Sequence, residues 1–317
     1  MADPVQNTAP EPHGPGADHE GEPRVSVCAV VVTFNRRELL VRCLAALAAQ
    51  TRPPDHVLVV DNASTDGTPE LVRERYAEQV ELVELPVNVG GAGGFHEGMK
   101  LGHAAGHDWL WIMDDDTLAE PAALAELLAG GKRAGAGTPS LLASRVVWTN
   151  DRLHPMNAPL FEIKRSAAVV AGCERGLMPL RLTTFVSLLI HRGVVDRHGL
   201  PLERYFLWSD DIEYTARVLR TEPGFLVVDS VAVHATARPY TAISTSDDRF
   251  YFHVRNTLYL LRGTALSGRE KPGAVFRLGH SVLDYLRYHD MDSRHVKIVL
   301  RGLRDGIRRG APVAGRP

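Results

Sequence analysis

Apolar positions along this chain follow two rhythms, and their alternation predicts the architecture. Val25–Val32 is a nearly unbroken apolar run that stops at the polar loop Thr33-Phe34-Asn35-Arg36. Leu39, Leu40, Cys43, Leu44 and Leu47 then fall at helical spacing over 37–50, and Pro53-Pro54 ends that helix. His56–Val60 is a second apolar run leading into the polar stretch Asp61–Gly67. Thr68 is placed to N-cap a helix over 69–78, with Pro69 at its first position. Residues 80–85 alternate as a third short strand, and the run Gly90–Gly94 leads into a helix reaching residue 105. Apolar runs alternating with helical patterns across short connections predict a parallel sheet with right-handed crossovers.

The next strand organises the rest. Trp109-Leu110-Trp111-Ile112-Met113 is a buried-strand pattern, and Asp114, Asp115 and Asp116 follow at once. Residues 118–134 read as a helix. Residues 144–149 and 185–190 read as strands, possible antiparallel partners, and 193–198 as a short helix. Tyr205–Trp208 is aromatic and apolar, then acidic again at Asp210-Asp211, where a helix over 211–221 begins. Residues 224–234 form one long strand or a strand pair ending at His234, and the chain is helical from 249 onward.

Composition narrows the class. The 317 residues, 44% hydrophobic and 23% charged, are those of an ordinary globular protein, and a net charge of −2 gives no case for nucleic-acid binding. Residues 1–23, rich in Pro, Gly, Glu, Ala and His, are expected to stay disordered. No apolar run is long enough for a transmembrane helix, and no secretory signal opens the chain. Cys28, Cys43 and Cys173 fit neither a disulfide framework nor a zinc site, which suits a cytoplasmic protein.

Polar clusters fall at four predicted strand ends: Thr33 and Asn35, Asp61 and Asn62, Asp114–Asp116, and Asp210-Asp211. In an open α/β sheet such ends share one crevice. Three adjacent carboxylates repel, and a hard divalent cation, Mg²⁺ or Mn²⁺, would relieve that repulsion; the competing reading is an acidic turn capping a helix. Asp61 is placed either to accept hydrogen bonds from a base or ribose or to shape an Asx turn. The glycines at 90–94 serve either close approach of a ligand or a tight turn; the pattern is not GxGxxG and follows the third strand, which argues against a dinucleotide fold. His234 is a candidate neutral ligand. Asp211 is a candidate general base and Asp210 a helix N-cap, while Tyr205 and Trp208 either stack on a sugar or belong to the core.

Val30–Arg36, Val59–Gly67, Asp114–Asp116 and Ser209–Tyr214 resemble, in order, the motifs of the family 2 inverting glycosyltransferases. The resemblance spans about residues 25–260. It implies the GT-A fold, a Rossmann-like α/β architecture with a mainly parallel central sheet flanked by helices. Asn88–Phe95 and Trp208–Tyr214 look most like bacterial galactofuranosyltransferases of cell-wall galactan synthesis, with rhamnosyltransferases close by. By position, the resemblance gives Thr33 and Asp61 to the uridine, with Asn35, Asn88, Gly90, Gly91 and Asp115 completing the nucleotide-sugar site. It gives Asp116 and His234 to the metal, and Asp114 to the metal motif and to the ribose or donor sugar. Asp211 becomes the base, with Asp210 the alternative. Arg255-Asn256 also resembles a family feature, without an assigned role.

The expected organisation is a tail over 1–23, a GT-A domain over 24–248 and a helical region over 249–317. The expected function is metal-dependent inverting transfer of galactofuranose from UDP-galactofuranose to a glycan or polyprenyl-linked acceptor. The alternatives are rhamnosyl transfer from dTDP-rhamnose and a non-catalytic glycan-binding scaffold; the intact acidic motifs argue against the scaffold. From 262 onward there are twelve Lys/Arg against five Asp/Glu. Val296, Leu300, Leu303 and Ile307 share a helix face that Arg294, Lys297, Arg301, Arg304 and Arg308 flank. That stripe either packs on the domain or lies on the inner face of an anionic membrane as a peripheral contact. Oligomeric state is not legible.

Overall fold

The apolar run near the start of the chain becomes the strand on which the sheet is built. In this computed structural model, which describes residues 24–135, 137–163, 166–236, 242–244 and 248–308, β1 (Val27–Thr33) buries every residue. The expected disordered tail, 1–23, and residues 309–317 lie outside the described residues. β1 pairs in parallel with β2 (His56–Asp61) on one side and with the strand Trp109–Asp114 on the other. Between them lie α1 (Arg37–Ala48), α2 (Thr68–Arg75), β3 (Glu81–Glu84) and α3 (Gly90–Ala104); Trp109–Asp114 is β4.

After β4 the chain makes a strand that periodicity missed. β5 (Thr117–Ala119) precedes α4 (Ala123–Arg133), so the helix expected over 118–134 starts later. Then come β6 (Leu141–Val147), β7 (Leu160–Phe161), α5 (Ser166–Cys173), β8 (Leu177–Leu182), β9 (Leu188–His191), α6 (Arg192–His198), α7 (Asp210–Val218) and β10 (Gly224–His234). β10 is one long strand with a register break between Val227 and Val231. The order β3-β2-β1-β4-β9-β6-β10-β8-β7, with β5 on β10, makes a mixed sheet in which only β5, β8 and β9 run against the others. The antiparallel guess for 185–190 holds: β9 sits between β4 and β6, antiparallel to both.

Strand residues alternate between two buried faces. Cys28, Val30, Val32, Leu110 and Ile112 pack with Phe95 and Met99 of α3 and Tyr214 of α7. Val27, Ala29, Val31, Trp111 and Met113 pack with Leu40, Leu44 and Leu47 of α1 and Leu124 and Leu127 of α4. Helices α8 (Arg249–Arg262), α9 (Lys271–Tyr288) and α10 (Ser293–Arg308) form the helical region expected at the end. Cys28, Cys43 and Cys173 are free thiols.

Two caps differ from expectation. Gly67, in the left-handed region at φ 83°, is the N-cap of α2, so Thr68 is already helical; its hydroxyl donates to Asp66. Ser209, at φ 65°, caps α7, so Asp210 is inside the helix and does not cap it.

The glycines of α3 settle the helix onto the sheet. A Cβ at Gly94 would lie 2.5 Å from Val32 Cγ1, and one at Gly98 2.3 Å from Val30 Cγ1 and 3.0 Å from Val60 Cγ2. Overpacking a tight core typically costs about 1–3 kcal/mol, against the ~1 kcal/mol that alanine gains over glycine in a helix. Gly98→Ala should therefore lower the melting temperature. Gly279→Ala, on the exposed side of α9 with no atom within 4 Å, should raise it slightly. Calorimetry of the two variants checks the contrast.

Candidate functional site

The sheet topology brings the acidic strand ends together. Thr33, Asp61 and Asp114 end the adjacent parallel strands β1, β2 and β4. β10 points the same way as these strands and ends at His234. The short β5 then draws the end of the acidic run to it: Thr117 pairs with His234, and the Ala235 N–H donates to the Asp116 carbonyl at 2.8 Å. Because β9 is antiparallel, the residues preceding it, Thr184–Val186, arrive at this same edge.

The three carboxylates have separate environments. Asp115 is buried; it accepts from the Thr33 hydroxyl at 2.8 Å and meets Arg36 Nη1 at 3.2 Å. Arg36 Nη1 also donates to Asp116 Oδ2 at 2.6 Å. Burial raises Asp115 to about 6, with Arg36 opposing it. Asp114 is pushed well above the carboxylate range by burial and then by the charges of Asp116 and Asp115. Burial also raises Asp116, but its contacts with His234 and Arg36 outweigh that and hold it below the usual range. The edge therefore carries more buried negative charge than one guanidinium offsets.

Asp116 Oδ1 and His234 Nε2 face each other at 3.1 Å, a contact counted as an ion pair, yet Oδ1 is buried without a hydrogen-bond partner. His234 Nδ1 lies 2.7 Å from Asn157 Oδ1, and the Asn157 amide donates to Thr184 Oγ1 at 2.9 Å. An amide oxygen only accepts, so Nδ1 donates to Asn157 and Nε2 is left facing the Asp116 carboxylate. A carboxylate oxygen and an imidazole nitrogen so oriented are groups that could together hold a divalent cation. Asp114, expected as a third ligand, is not drawn into that pair. The trio of candidate ligands that does converge within 4.8 Å among the described residues, His96, Glu97 and Glu203, is partly exposed, and Glu97 already pairs with Lys100.

A cavity of about 320 Å³ opens on this edge. Arg36, Asp114, Asp116 and His234 line one side; Trp208, Asp210 and Asp211 line the other. The chain reaches those carboxylates through Phe206, Trp208 and Ser209, all at positive φ of 62–65°. Each such non-glycine residue costs of order 1–3 kcal/mol and persists only where the surroundings over-determine it. Asp211 is half-buried and accepts the Ile212 N–H at 2.7 Å. Desolvation raises it to about 6, opposed by the amides of Ile212 and of Asp211 itself. Asp210 is more deeply buried and stands well above the carboxylate range through desolvation and then the Asp211 charge. Both carboxylates are thus held above the usual range, the setting of a group that takes or gives a proton near neutral pH.

Not every expected residue reaches the cavity. Tyr205 is core, 1% exposed and edge-on to Tyr259, so it offers no stacking face. Thr33 is 1% exposed and turned to Asp115, so its hydroxyl is committed inside the protein. Asn35 accepts from Thr65 N–H at 2.7 Å and ties two loops together, while Asn88 accepts from Gly90 N–H at 2.8 Å. Gly90, at φ 75°, allows close approach of the Phe206 carbonyl rather than of a ligand; Gly91 does line the cavity. Asp61 accepts from Ser64 N–H at 2.9 Å, and its other oxygen is buried and unpartnered. Arg36, Asn157 and Thr184 were not singled out from sequence. Arg36 was legible as the one cation in the first strand-end loop; Asn157 and Thr184 carry no local signal.

Residues 28–168 match the family model for Glycosyl transferase family 2. Galactofuranosyltransferase GlfT1 of Mycolicibacterium smegmatis is 30% identical over 300 residues, covering 89% of this chain and 94% of that protein. The chain belongs to glycosyltransferase family 2. GlfT1 of Mycobacterium tuberculosis is 34% identical over 200 residues, 62% of this chain, and the match spans 65% of that relative's length. Two solved structures share the family 2 fold at low identity. S. aureus TarS 1-349 in complex with UDP-GlcNAc has a TM-score of 0.58 at 15% identity, over 91% of this chain and 82% of that one. The mannosyltransferase PcManGT from Pyrobaculum calidifontis, in complex with GDP-Man and Mn2+, has a TM-score of 0.55 at 20% identity, over 90% and 86%. The fold is thus the GT-A fold expected of family 2.

If Asp116 and His234 seat a cation in this family 2 site, UDP should raise the melting temperature more with Mn²⁺ than without. Asp116→Asn and His234→Ala should each abolish the Mn²⁺-dependent part and keep the metal-free part, since a ligand stabilises only through the state it binds. A Mn²⁺ increment surviving both substitutions would place the cation elsewhere.

Proposed function

We propose that this chain is a divalent-metal-dependent inverting glycosyltransferase that moves galactofuranose from UDP-galactofuranose onto a glycan or polyprenyl-linked acceptor. The observation that carries it is one cavity lined by Asp116, His234, Asp210 and Asp211 together. The two relatives compared, both named galactofuranosyltransferases, support this donor over dTDP-rhamnose. The bound nucleotide-sugar complex of TarS and the Mn2+ in PcManGT support a nucleotide-sugar donor and a divalent cation. The scaffold alternative leaves the strained, desolvated Asp210-Asp211 pair without a purpose.

Each protein group has one task in this reading. Asp61 holds the nucleoside through its unpartnered oxygen. Asp116 and His234 hold Mn²⁺ or Mg²⁺, which when bound offsets charge on the leaving diphosphate. Arg36 adds a cation beside the same phosphates. Trp208 offers a ring face to sugar, and Asp211 takes the acceptor hydroxyl proton as the hydroxyl attacks in line, giving inversion. Asp210 lies beside it, its carboxyl raised by burial and then by the Asp211 charge.

Membrane contact belongs to the same proposal. Among the described residues no helix is long and apolar enough to cross a membrane. α10 packs on α8 through Ile298, Val299, Gly302 and Gly306, and of the stripe read from sequence Leu303 packs against the same cluster. Of that stripe, Leu300 and Ile307 are each 58% exposed, next to Lys297, Arg301, Arg304 and Arg308. An exposed apolar edge flanked by cations suits the surface of an anionic leaflet, where a lipid-linked acceptor resides.

Asp211→Asn should cut turnover by roughly 10²–10⁴-fold with little change in UDP affinity, the usual range for a general base. Asp210→Asn should cost less. Wild-type turnover should fall as pH drops below about 6, because the base must be ionised. A reversed order of the two variants would move the base to Asp210. Separately, the protein should sediment with anionic vesicles at low salt and detach as salt rises. Leu300→Ser with Ile307→Ser should weaken that binding while turnover on a detergent-soluble acceptor is kept. Equal partition onto neutral vesicles would remove the membrane reading.

A further inference from the structure

Helix α8 reaches the strained segment before the two cavity carboxylates, and it does so with Arg255 and Asn256. Asn256 is fully buried, and its amide Nδ2 faces the carbonyls of Tyr205, Leu207 and Trp208 at 3.0, 2.8 and 2.8 Å. Arg255, 7% exposed, donates from Nη2 to the carbonyls of Arg204 and Tyr205 at 2.9 and 2.7 Å, and from Nε to Asn256 Oδ1 at 2.9 Å. Its guanidinium lies 4.9–5.4 Å from the ring centroids of Tyr251, Phe252 and Tyr259, so it is held in place in turn. The Phe206 carbonyl accepts from Ala92 N–H of α3 at 3.2 Å. Every carbonyl from 204 to 208 therefore has a donor outside the segment.

The residue types suit the task. A path through positive φ at Phe206, Trp208 and Ser209 cannot form a regular ladder, so its carbonyls need side-chain donors. An amide supplies two N–H donors without a charge, and a guanidinium supplies a rigid fork of donors. Neither Arg255 nor Asn256 lines the catalytic cavity. What they fix is the backbone that aims Trp208, Asp210 and Asp211 into it.

We infer that Arg255 and Asn256 are positioning residues: they hold the strained 204–208 backbone, and through it the base. The inference rests on the reading of Asp211 as the base. Displacement of a reacting group by about 1 Å costs on the order of 10²-fold in rate. The clamp is thus a way for a helix outside the sheet to govern turnover without touching donor or acceptor.

The test uses the full chain carrying Asn256→Leu, which keeps the volume and removes the amide. Hydrogen exchange at Phe206, Leu207 and Ala92 should accelerate by about tenfold or more, as expected of local opening. Turnover of radiolabelled UDP-galactofuranose with a detergent-solubilised membrane fraction should fall roughly 10- to 100-fold. UDP affinity measured with Mn²⁺ should stay within about twofold, since Asp61, Asp116 and His234 stand on other elements. Arg255→Lys, which keeps the charge but loses the fork, should give a smaller change of the same kind and carries the test if Asn256→Leu does not fold. Wild-type exchange and turnover in these variants, or UDP affinity lost in step with turnover, would overturn the inference. A wrong base shows differently: Asp211→Asn would then keep full turnover while exchange at 204–208 stays at the wild-type rate.

Discussion

The molecule depends on an excess of buried negative charge at one end of β4. The apolar run Trp109–Met113 fixes the strand in the centre of the sheet, and the chain has no freedom to keep the next three carboxylates in water. Desolvation of a carboxylate costs several kcal/mol unless something positive or hydrogen-bonding meets it. The surroundings of Asp114–Asp116 are arranged around that cost. Thr33 and Arg36 are spent on Asp115 and Asp116, β5 brings His234 across, and Asn157 turns the imidazole Nε2 toward Asp116. What is left unsatisfied there is one oxygen of Asp116, while Asp114 is raised by burial and by its neighbours' charges.

The second carboxylate pair is desolvated for a different reason. Asp210 and Asp211 open α7, where unpaired amides favour negative charge. Both meet amides at the helix start, Asp211 through Ile212 N–H and Asp210 through the amides of Asp210 and Asp211, and both line the cavity. Ser209, in the left-handed region, starts the helix one residue earlier than the sequence suggests, so Asp210 and Asp211 both lie in its first turn.

Much of this was legible because it follows from rhythm along the chain. The alternation of apolar runs and helical patterns gave the order of β1 to β4, and the acidic ends of those strands gave the edge. What rhythm could not carry was contact between distant segments. β5 is three residues long and sits in an Ala- and Leu-rich stretch, so its pairing with β10 outweighed its helical composition. Asn157 and Thr184 matter only because β9 and the segment before β7 end where β10 ends. α10 fails for another reason: its packed face contains Gly302 and Gly306, which carry no hydrophobic signal. A Cβ at Gly302 would lie 2.9 Å from Val254 Cβ, so it is the absence of side chains that lets the helices meet. The apolar periodicity then marks a stripe that is only partly covered, with Leu303 packed on the cluster and Leu300 and Ile307 left exposed.

The change to helices at 249 is a change of element type and not a break in packing. Tyr259 and Leu260 of α8 share a cluster with Ala92, Tyr205 and Ala216 of the sheet-bearing part. The same helix receives Gly302 and Gly306 of α10 on another side. A rigid helix with these two neighbours fixes the catalytic edge relative to the cationic face of α10. The glycines that seat α10 and the amide that clamps the 204–208 segment are therefore parts of one constraint, applied from opposite sides of α8.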